Sequence, residues 1–286
     1  MRLTGRRARQ DVSHAGKLMT GQLDAIYIYD APGTIGLNIG TTAQFLTELL
    51  PGTEVETRSD FFTHHMAQFE PSQVEVLTEQ LIARLEEREV HNLVAPERRD
   101  DLEEVTPEDL DTGVIYLAEP LQDVMQAMVP QSERGPEKLH LVYLEQCIGR
   151  FEPGETYLTL QTIQHGEPAI ISTTGFVEAP SLPREYSFRR GQLLAFGLDE
   201  ATEELDEVFA EETFTHGDAR ITHVATGFAL KALFCRMFDE LGCEDRSCPL
   251  HNVDTHDELV AAHLSDEAGL CDRHTRMLIE ARRNSD

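Results

Sequence analysis

Three of the five cysteines fall within the last 44 residues, at Cys243, Cys248 and Cys271, and His274 follows the last of them by three positions. The pattern is Cys-x4-Cys, a gap of 22 residues, then Cys-x2-His. Zinc takes four sulfur or nitrogen ligands in a tetrahedron, and two short-range ligand pairs closed by a longer loop can provide them. The residues between the pairs are polar with little to bury, so ligation would supply the missing folding energy. Cys243, Cys248, Cys271 and His274 are therefore read as the ligands of one structural zinc. The plainer alternative is two small apolar cysteines and a surface histidine. His251, His256 and His263 lie inside the loop. They are substitutes for His274, or else solvent-facing residues just outside the ligand set. Cys147, after an expected strand, and Cys235, within an expected helix, read as core.

Other groupings meet fewer requirements. His216 and His223 stand seven residues apart, about two helical turns, too far to share an ion unless a helix begins between them. His64 and His65 form a second pair, and Glu145 or Glu178 offers a carboxylate. There is no Gly-x-Ser-x-Gly elbow and no Gly-Lys-Ser/Thr phosphate loop, and Gly33, Gly36 and Gly40 miss the dinucleotide spacing.

The elements that must position these residues alternate strand and helix. Ala25 to Tyr29 is an apolar run closed by Ala31-Pro32-Gly33, a buried first strand. Thr41 to Leu50 carries Phe45, Leu46, Leu49 and Leu50 on one helical face and stops at Pro51-Gly52. Glu54 to Arg58 is a second strand. Ser72 and Glu75 form a capping box ahead of Val74, Leu77, Leu81 and Leu85. Strands are expected at Val114 to Leu117, Leu139 to Leu144, Tyr157 to Ile163 and Ala169 to Ser172, the last two joined by the turn His165-Gly166-Glu167-Pro168. A helical stretch covers Leu121 to Met128, and a proline-rich loop follows at 179–183. Asp199 to Phe209 and Arg220 to Leu241 are further helices. The second has two apolar stripes and should be central and buried.

Composition bounds the partners. The 286 residues carry 24 Lys plus Arg against 52 Asp plus Glu, a formal net charge of -28. Such a polyanion repels nucleic acid and anionic membrane alike, and no apolar run is long enough to span a bilayer. Lys17, Lys138 and Lys231 are the three lysines, and tryptophan is absent. This composition suits the cytoplasm of a salt-loving organism, where counter-ions screen self-repulsion; a protein equally stable with salt removed would contradict that. Arg2, Arg6, Arg7, Arg9 and Lys17 stand against Asp11 alone near the N-terminus. Residues 1–22 read as a disordered basic extension, with Met19 as a candidate true start. Eight acids and two prolines between Pro96 and Gly113 read as a solvated linker.

The run Cys243-Glu-Asp-Arg-Ser-Cys248-Pro-Leu-His251, with Cys271-Asp-Arg-His274 after it, resembles the C-terminal zinc module of archaemetzincins, metallopeptidases of the metzincin clan. More closely, the chain is similar to an archaeal family of metallopeptidase homologues derived from them. Ile171-Ser172-Thr173-Thr174-Gly175 and Glu178-Ala179-Pro180 also resemble that group, and the likeness covers roughly the last 120 residues. The resemblance implies a catalytic helix bearing His-Glu-x-x-His-x-x-Gly-x-x-His just before the first cysteine. Counted back from Cys243, those positions hold Ala232, Leu233, Arg236, Asp239 and Gly242. The metal ligands and the general base are replaced, the family's methionine is Leu250, and the fourth cysteine is His274.

The fold expected is α/β (or α+β): a metzincin-like mixed sheet with a central helix, spanning 23–241, and a small zinc-bound helical subdomain over 242–286. The function implied is that of a zinc metallopeptidase homologue that keeps a structural zinc without the catalytic motif. The alternative is a non-enzymatic, zinc-stabilised module that binds a protein or peptide partner.

Overall fold

The computed structural model describes residues 22–86, 115–151, 158–198 and 200–283. Residues 1–21 of the basic extension, the acidic linker at 96–113, and Val114, Tyr157 and Asp199 at the edges of expected elements lie outside the described residues.

A run of alternating large side chains buried on both faces makes the central strand, β1 (Ala25–Tyr29). It pairs in parallel with β2 (Glu54–Arg58) on one side and β4 (Lys138–Leu144) on the other, with Ile26 opposite Val55 and Leu139. β8 (Ala169–Ser172) continues the parallel sheet beside β4, and the two-residue β7 (Ile163–Gln164) closes it antiparallel, giving the order β2-β1-β4-β8-β7. A smaller sheet has the order β3-β5-β6, with β3 (Ile115–Leu117), β5 (Cys147–Phe151) and β6 (Leu158–Gln161). The stretch 158–163 is thus two strands in two sheets rather than one. Cys147 begins a strand that the sequence pattern does not announce.

Helices cover both faces of the larger sheet. Successive β1 side chains point to opposite sides, so Ile26 and Ile28 enter one core while Tyr27 and Tyr29 enter another. The second core is closed by α2 (Phe61–Met66), capped by Asp60, and by α4 (Ala118–Met128), which buries Leu121, Val124 and Met125. Between them in sequence runs α3 (Pro71–Glu86). Its start differs from the expected capping box. The helix begins two residues earlier, and the Gln73 side chain accepts from the Glu70 backbone N–H at 3.1 Å, the return half of such a box. Proline at the first helical position costs nothing, since its missing N–H has no partner there.

The first core is dominated by α8 (Ile221–Phe238), whose buried residues include Val224, Phe228, Leu230, Leu233 and Phe234. Each large apolar side chain so buried contributes about 1.5–3 kcal/mol, which makes this helix the main anchor of the fold. Its partner α1 (Ile39–Leu49), capped by Asn38, contributes Leu46, while Phe45 sits at the solvent edge instead of on the buried face. Tyr143 on β4 donates its hydroxyl to the Ala225 carbonyl at 3.0 Å, and Thr42 meets Thr226 at 2.9 Å. The helix stops at Phe238, three residues short of the expected Leu241, because Asp239 turns left-handed with φ 55°.

The chain from β8 to α8 forms α5 (Gly175–Glu178), α6 (Arg184–Ala195) and α7 (Ala201–Val208). α6 is absent from the sequence reading, because its apolar residues show no single stripe and most of its surface is exposed. After α8 come α9 (His256–His263) and α10 (Asp272–Arg283). Cys248, Leu250, Leu259 and Leu278 from this last part share one core with α8.

Gly227 shows how closely α9 approaches α8. A Cβ built there would lie 2.1 Å from Nδ1 of His263, whose ring stacks on Phe228 with centroids 5.0 Å apart. Gly227→Ala is therefore expected to cost about 1–3 kcal/mol. The companion change His263→Ala should relieve most of that clash, so urea denaturation of the two single variants and the double should show strong non-additivity.

Candidate metal centre

The ligands arise from two local devices. Leaving α8 at Asp239, the chain runs to Cys243 and turns through Asp245–Ser247, where the Asp245 carboxylate accepts from the Ser247 N–H at 3.0 Å and its hydroxyl at 2.8 Å. The Cys248 N–H donates to the Asp245 carbonyl at 3.2 Å, and the His251 N–H to that of Cys248 at 2.8 Å. The start of α10 presents His274 in its first turn and Cys271 at the residue just before the helix, three residues apart and so on one side. Gly269 N–H donates to the Ser247 carbonyl at 3.0 Å and joins the two pieces.

One ligand atom from each of Cys243, Cys248, Cys271 and His274 lies within 4.8 Å of all the others. Cys243 Sγ is 3.9 Å from Cys271 Sγ, and His274 Nδ1 is 3.4 Å from Cys248 Sγ and 3.1 Å from Cys271 Sγ. Tetrahedral zinc with its usual bond lengths requires edges of about 3.8 Å between sulfurs and about 3.6 Å from sulfur to nitrogen, so the four groups fit such an ion. Cys248 and His274 are fully buried, and the Asp245 N–H points at Cys243 Sγ at 3.4 Å. Burial, then neighbouring sulfur, pushes the Cys243 thiol up to about 12; an entering cation would have to displace its proton. With Nδ1 facing the sulfurs, Nε2 of His274 is left 3.8 Å from Glu240, which pairs with Arg273. A carboxylate behind a ligand histidine fixes the ring and its tautomer.

The three histidines between the ligand pairs do not join them. His251 donates from Nδ1 to the Cys243 carbonyl at 2.9 Å. His256 is fully buried, accepts from the Phe214 N–H at 3.0 Å and donates to the Val177 carbonyl at 3.0 Å. His263 is buried with both ring nitrogens lacking a partner. The expectation of solvent-facing residues on a polar loop is corrected for the last two. The segment contains α9, which packs Leu259 and Ala262 inward, and the histidines go with them. Cys147 is buried as expected, and Cys235 is half-buried.

Nor do the other candidates gather. His216 pairs with Glu178 at 2.9 Å, His223 is exposed, and Glu145 accepts from the Gly33 N–H. Arg236 forms an ion pair with Glu167 and donates to the Lys138 carbonyl at 3.1 Å, while Ala232 and Leu233 are core residues. Among the described residues, Cys243, Cys248, Cys271 and His274 form the one cluster that could hold a metal. A cavity of 260 Å³ opens at the carboxyl ends of β1 and β4, lined by Asp30, Asp60, Glu145, Phe61 and Tyr116 among others. Each carboxylate there already accepts a backbone N–H, from Ala31, Thr63 and Gly33 in turn.

The sequence reading also misses a buried polar network centred on Tyr29. Its hydroxyl lies 3.0 Å from both His65 Nε2 and His140 Nδ1, and Arg58 donates to it at 2.9 Å. The His140 Nε2 contact at 2.9 Å is with the Glu133 carbonyl, which can only accept. Nε2 therefore carries the proton, Tyr29 donates to Nδ1, and His65 donates to Tyr29. Both rings are neutral in this arrangement, and a second proton on His140, at Nδ1, would break it.

Burial pushes His65 and His165 down to about 4 and His263 down to about 3. Folded values below the unfolded one mean that the unfolded chain takes up protons first, so stability falls as pH drops from about 6.5 toward 4. Three such groups should remove about 2 kcal/mol between pH 7 and pH 6. Urea denaturation at the two pH values measures it, and equal stability would contradict the burial of these rings.

The crystal structure of archaemetzincin from Methanopyrus kandleri is similar over 92% of this chain and 96% of that one, at 13% sequence identity and a TM-score of 0.44. Among curated proteins, none matches. The family model described as "Probable metallopeptidase family (DUF6775)" matches residues 22–281. The chain belongs to that family.

Proposed function

We propose that this family member holds one structural zinc through Cys243, Cys248, Cys271 and His274 and does not hydrolyse peptides from its central helix. Convergence of the four side chains from two separate segments carries the reading. In this role the ion cross-links the end of α8 to α10 and adds to the packing of Leu250, Leu259 and Leu278 against the central helix. The helix itself supports the second half. A zincin needs two imidazoles one turn apart and a carboxylate beside the bound water. The corresponding positions hold buried Ala232 and Leu233 and an arginine tied to Glu167. On this reading residues 242–286 act as a zinc-bound unit on the 23–241 domain.

Metal analysis of protein purified in high salt should return one zinc per chain, retained through dialysis, and a mixed peptide pool should stay intact. Two ions per chain with chelator-sensitive cleavage would overturn the proposal.

The second reading, a module that binds a protein or peptide, is favoured by α6 and α7. Phe188 is 67% exposed, Phe196 77% and Val208 68%, close in sequence to the exposed Arg184 and Arg190. Apolar and basic surface together on so acidic a chain suits an acidic partner segment. Both readings hold together if zinc rigidifies the protein that presents this surface.

A further inference from the structure

Lys231 stands in the middle of α8 with 4% of its surface exposed. A buried ammonium is costly without a counter-charge or a full set of acceptors. Nζ donates to the His251 carbonyl at 2.6 Å and lies 5.4 Å from the Phe228 ring centroid. Ion pairs among the described residues engage Lys138 but not Lys231. Four titratable groups act on it or face it. His165, from the β7–β8 turn, and His263, from α9, are held neutral by burial. Asp254, ahead of α9, is exposed, and Cys248 belongs to the metal cluster.

The contact with His251 leads straight to the ligands. The residue that accepts from Lys231 through its carbonyl donates its ring N–H to the Cys243 carbonyl and its backbone N–H to that of Cys248. Three thiolates and a neutral imidazole around a divalent ion carry one net negative charge, here on two buried ligands, Cys248 and His274, and two half-buried ones, Cys243 and Cys271. We propose that Lys231 is the counter-cation of the zinc-loaded centre, held against it through His251, so that two charges each costly to bury alone offset one another. This rests on the zinc reading above. It makes Lys231 a positioning and charge-balancing residue, and it explains why one of so few lysines lies in the core.

The proposal predicts opposite effects with and without metal. Zinc affinity, by competition with a chromogenic chelator, and urea unfolding of loaded and zinc-free protein are measured on the full chain carrying Lys231→Met, Lys231→Gln or Asp254→Asn. Both lysine variants should bind zinc about 10- to 100-fold more weakly than the parent. Their zinc-free forms should unfold at the same or a higher urea concentration, since the cation removed has no ion-pair partner there. Glutamine keeps a donor for the His251 carbonyl, so its loss of affinity isolates the charge, and it stands in if the methionine variant does not fold. Asp254→Asn should bind zinc like the parent. Parent-like affinity in the lysine variants, equal destabilisation with and without zinc, or a loss in Asp254→Asn matching theirs would overturn the assignment. A parent chain that takes up no zinc would overturn the metal reading itself.

Discussion

Cys248→Ser should abolish stoichiometric zinc and lower stability by at least about 5 kcal/mol. The hydroxyl is a poor zinc ligand, and structural zinc supplies about 10–16 kcal/mol in isolated fingers, against a typical domain total of about 5–15 kcal/mol. The loss would not stay local. Cys248 and Leu250 share one core with Leu233 and Phe234 of α8 and Leu278 of α10. Loosening the turn that holds them exposes the end of the central helix. Chelator-treated parent protein and the serine variant should therefore unfold at one common urea midpoint, well below that of loaded parent. A variant that unfolds within about 1 kcal/mol of the loaded parent would leave the cysteines as mere small packing residues.

Arg58→Met is expected to cost about 3–5 kcal/mol, the usual penalty for leaving a buried ion pair half-made. The guanidinium donates to both oxygens of Glu133, at 2.7 and 2.8 Å, and both of Glu56, at 3.0 Å each, besides Tyr29. It also lies 4.0 Å from the Tyr27 ring centroid. Its hydrogen bond is the chief reason the Glu133 carboxyl sits below its ordinary range. Without it that carboxylate and the Tyr29 oxygen both lose donors in a place water reaches poorly. Arg58→Lys should recover part of the loss but not the two-pronged geometry. Arg58→Met combined with Glu133→Leu should be more stable than Arg58→Met alone, since it removes the stranded charge. Thermal and urea unfolding of the set would test this ordering, and a double variant weaker than the single would contradict it.

What was legible in the chain was local. Cys-x4-Cys and Cys-x2-His each encode their own turn, so the two halves of the cluster are visible before folding, and the all-round apolar pattern of α8 marks it as central. The helix end was less visible, because a left-handed aspartate at 239 carries no glycine to announce it. Burial of His256 and His263 depends on Phe214, Phe228 and Gly227, residues 35 to 42 positions away from the ring each one meets. No nearby pattern announces such packing. The network joining residues 29, 58, 65, 133 and 140 is more distant still, and read singly its members look like a strand tyrosine, a strand-end arginine and a surface histidine pair. The split at residue 162 is hidden for the opposite reason: no turn residue interrupts Leu158 to Ile163, yet the stretch serves two sheets.

The larger sheet ends at β2 on one side and β7 on the other. β2 carries Glu54, Glu56 and Arg58 within five residues, and β7 offers only two. Neither border presents a long, uncharged row of open amides onto which a neighbouring molecule could zip. Crowding many copies together should therefore favour side-by-side solubility over fibrillar stacking, even when the counter-ions that screen the acidic surface are abundant.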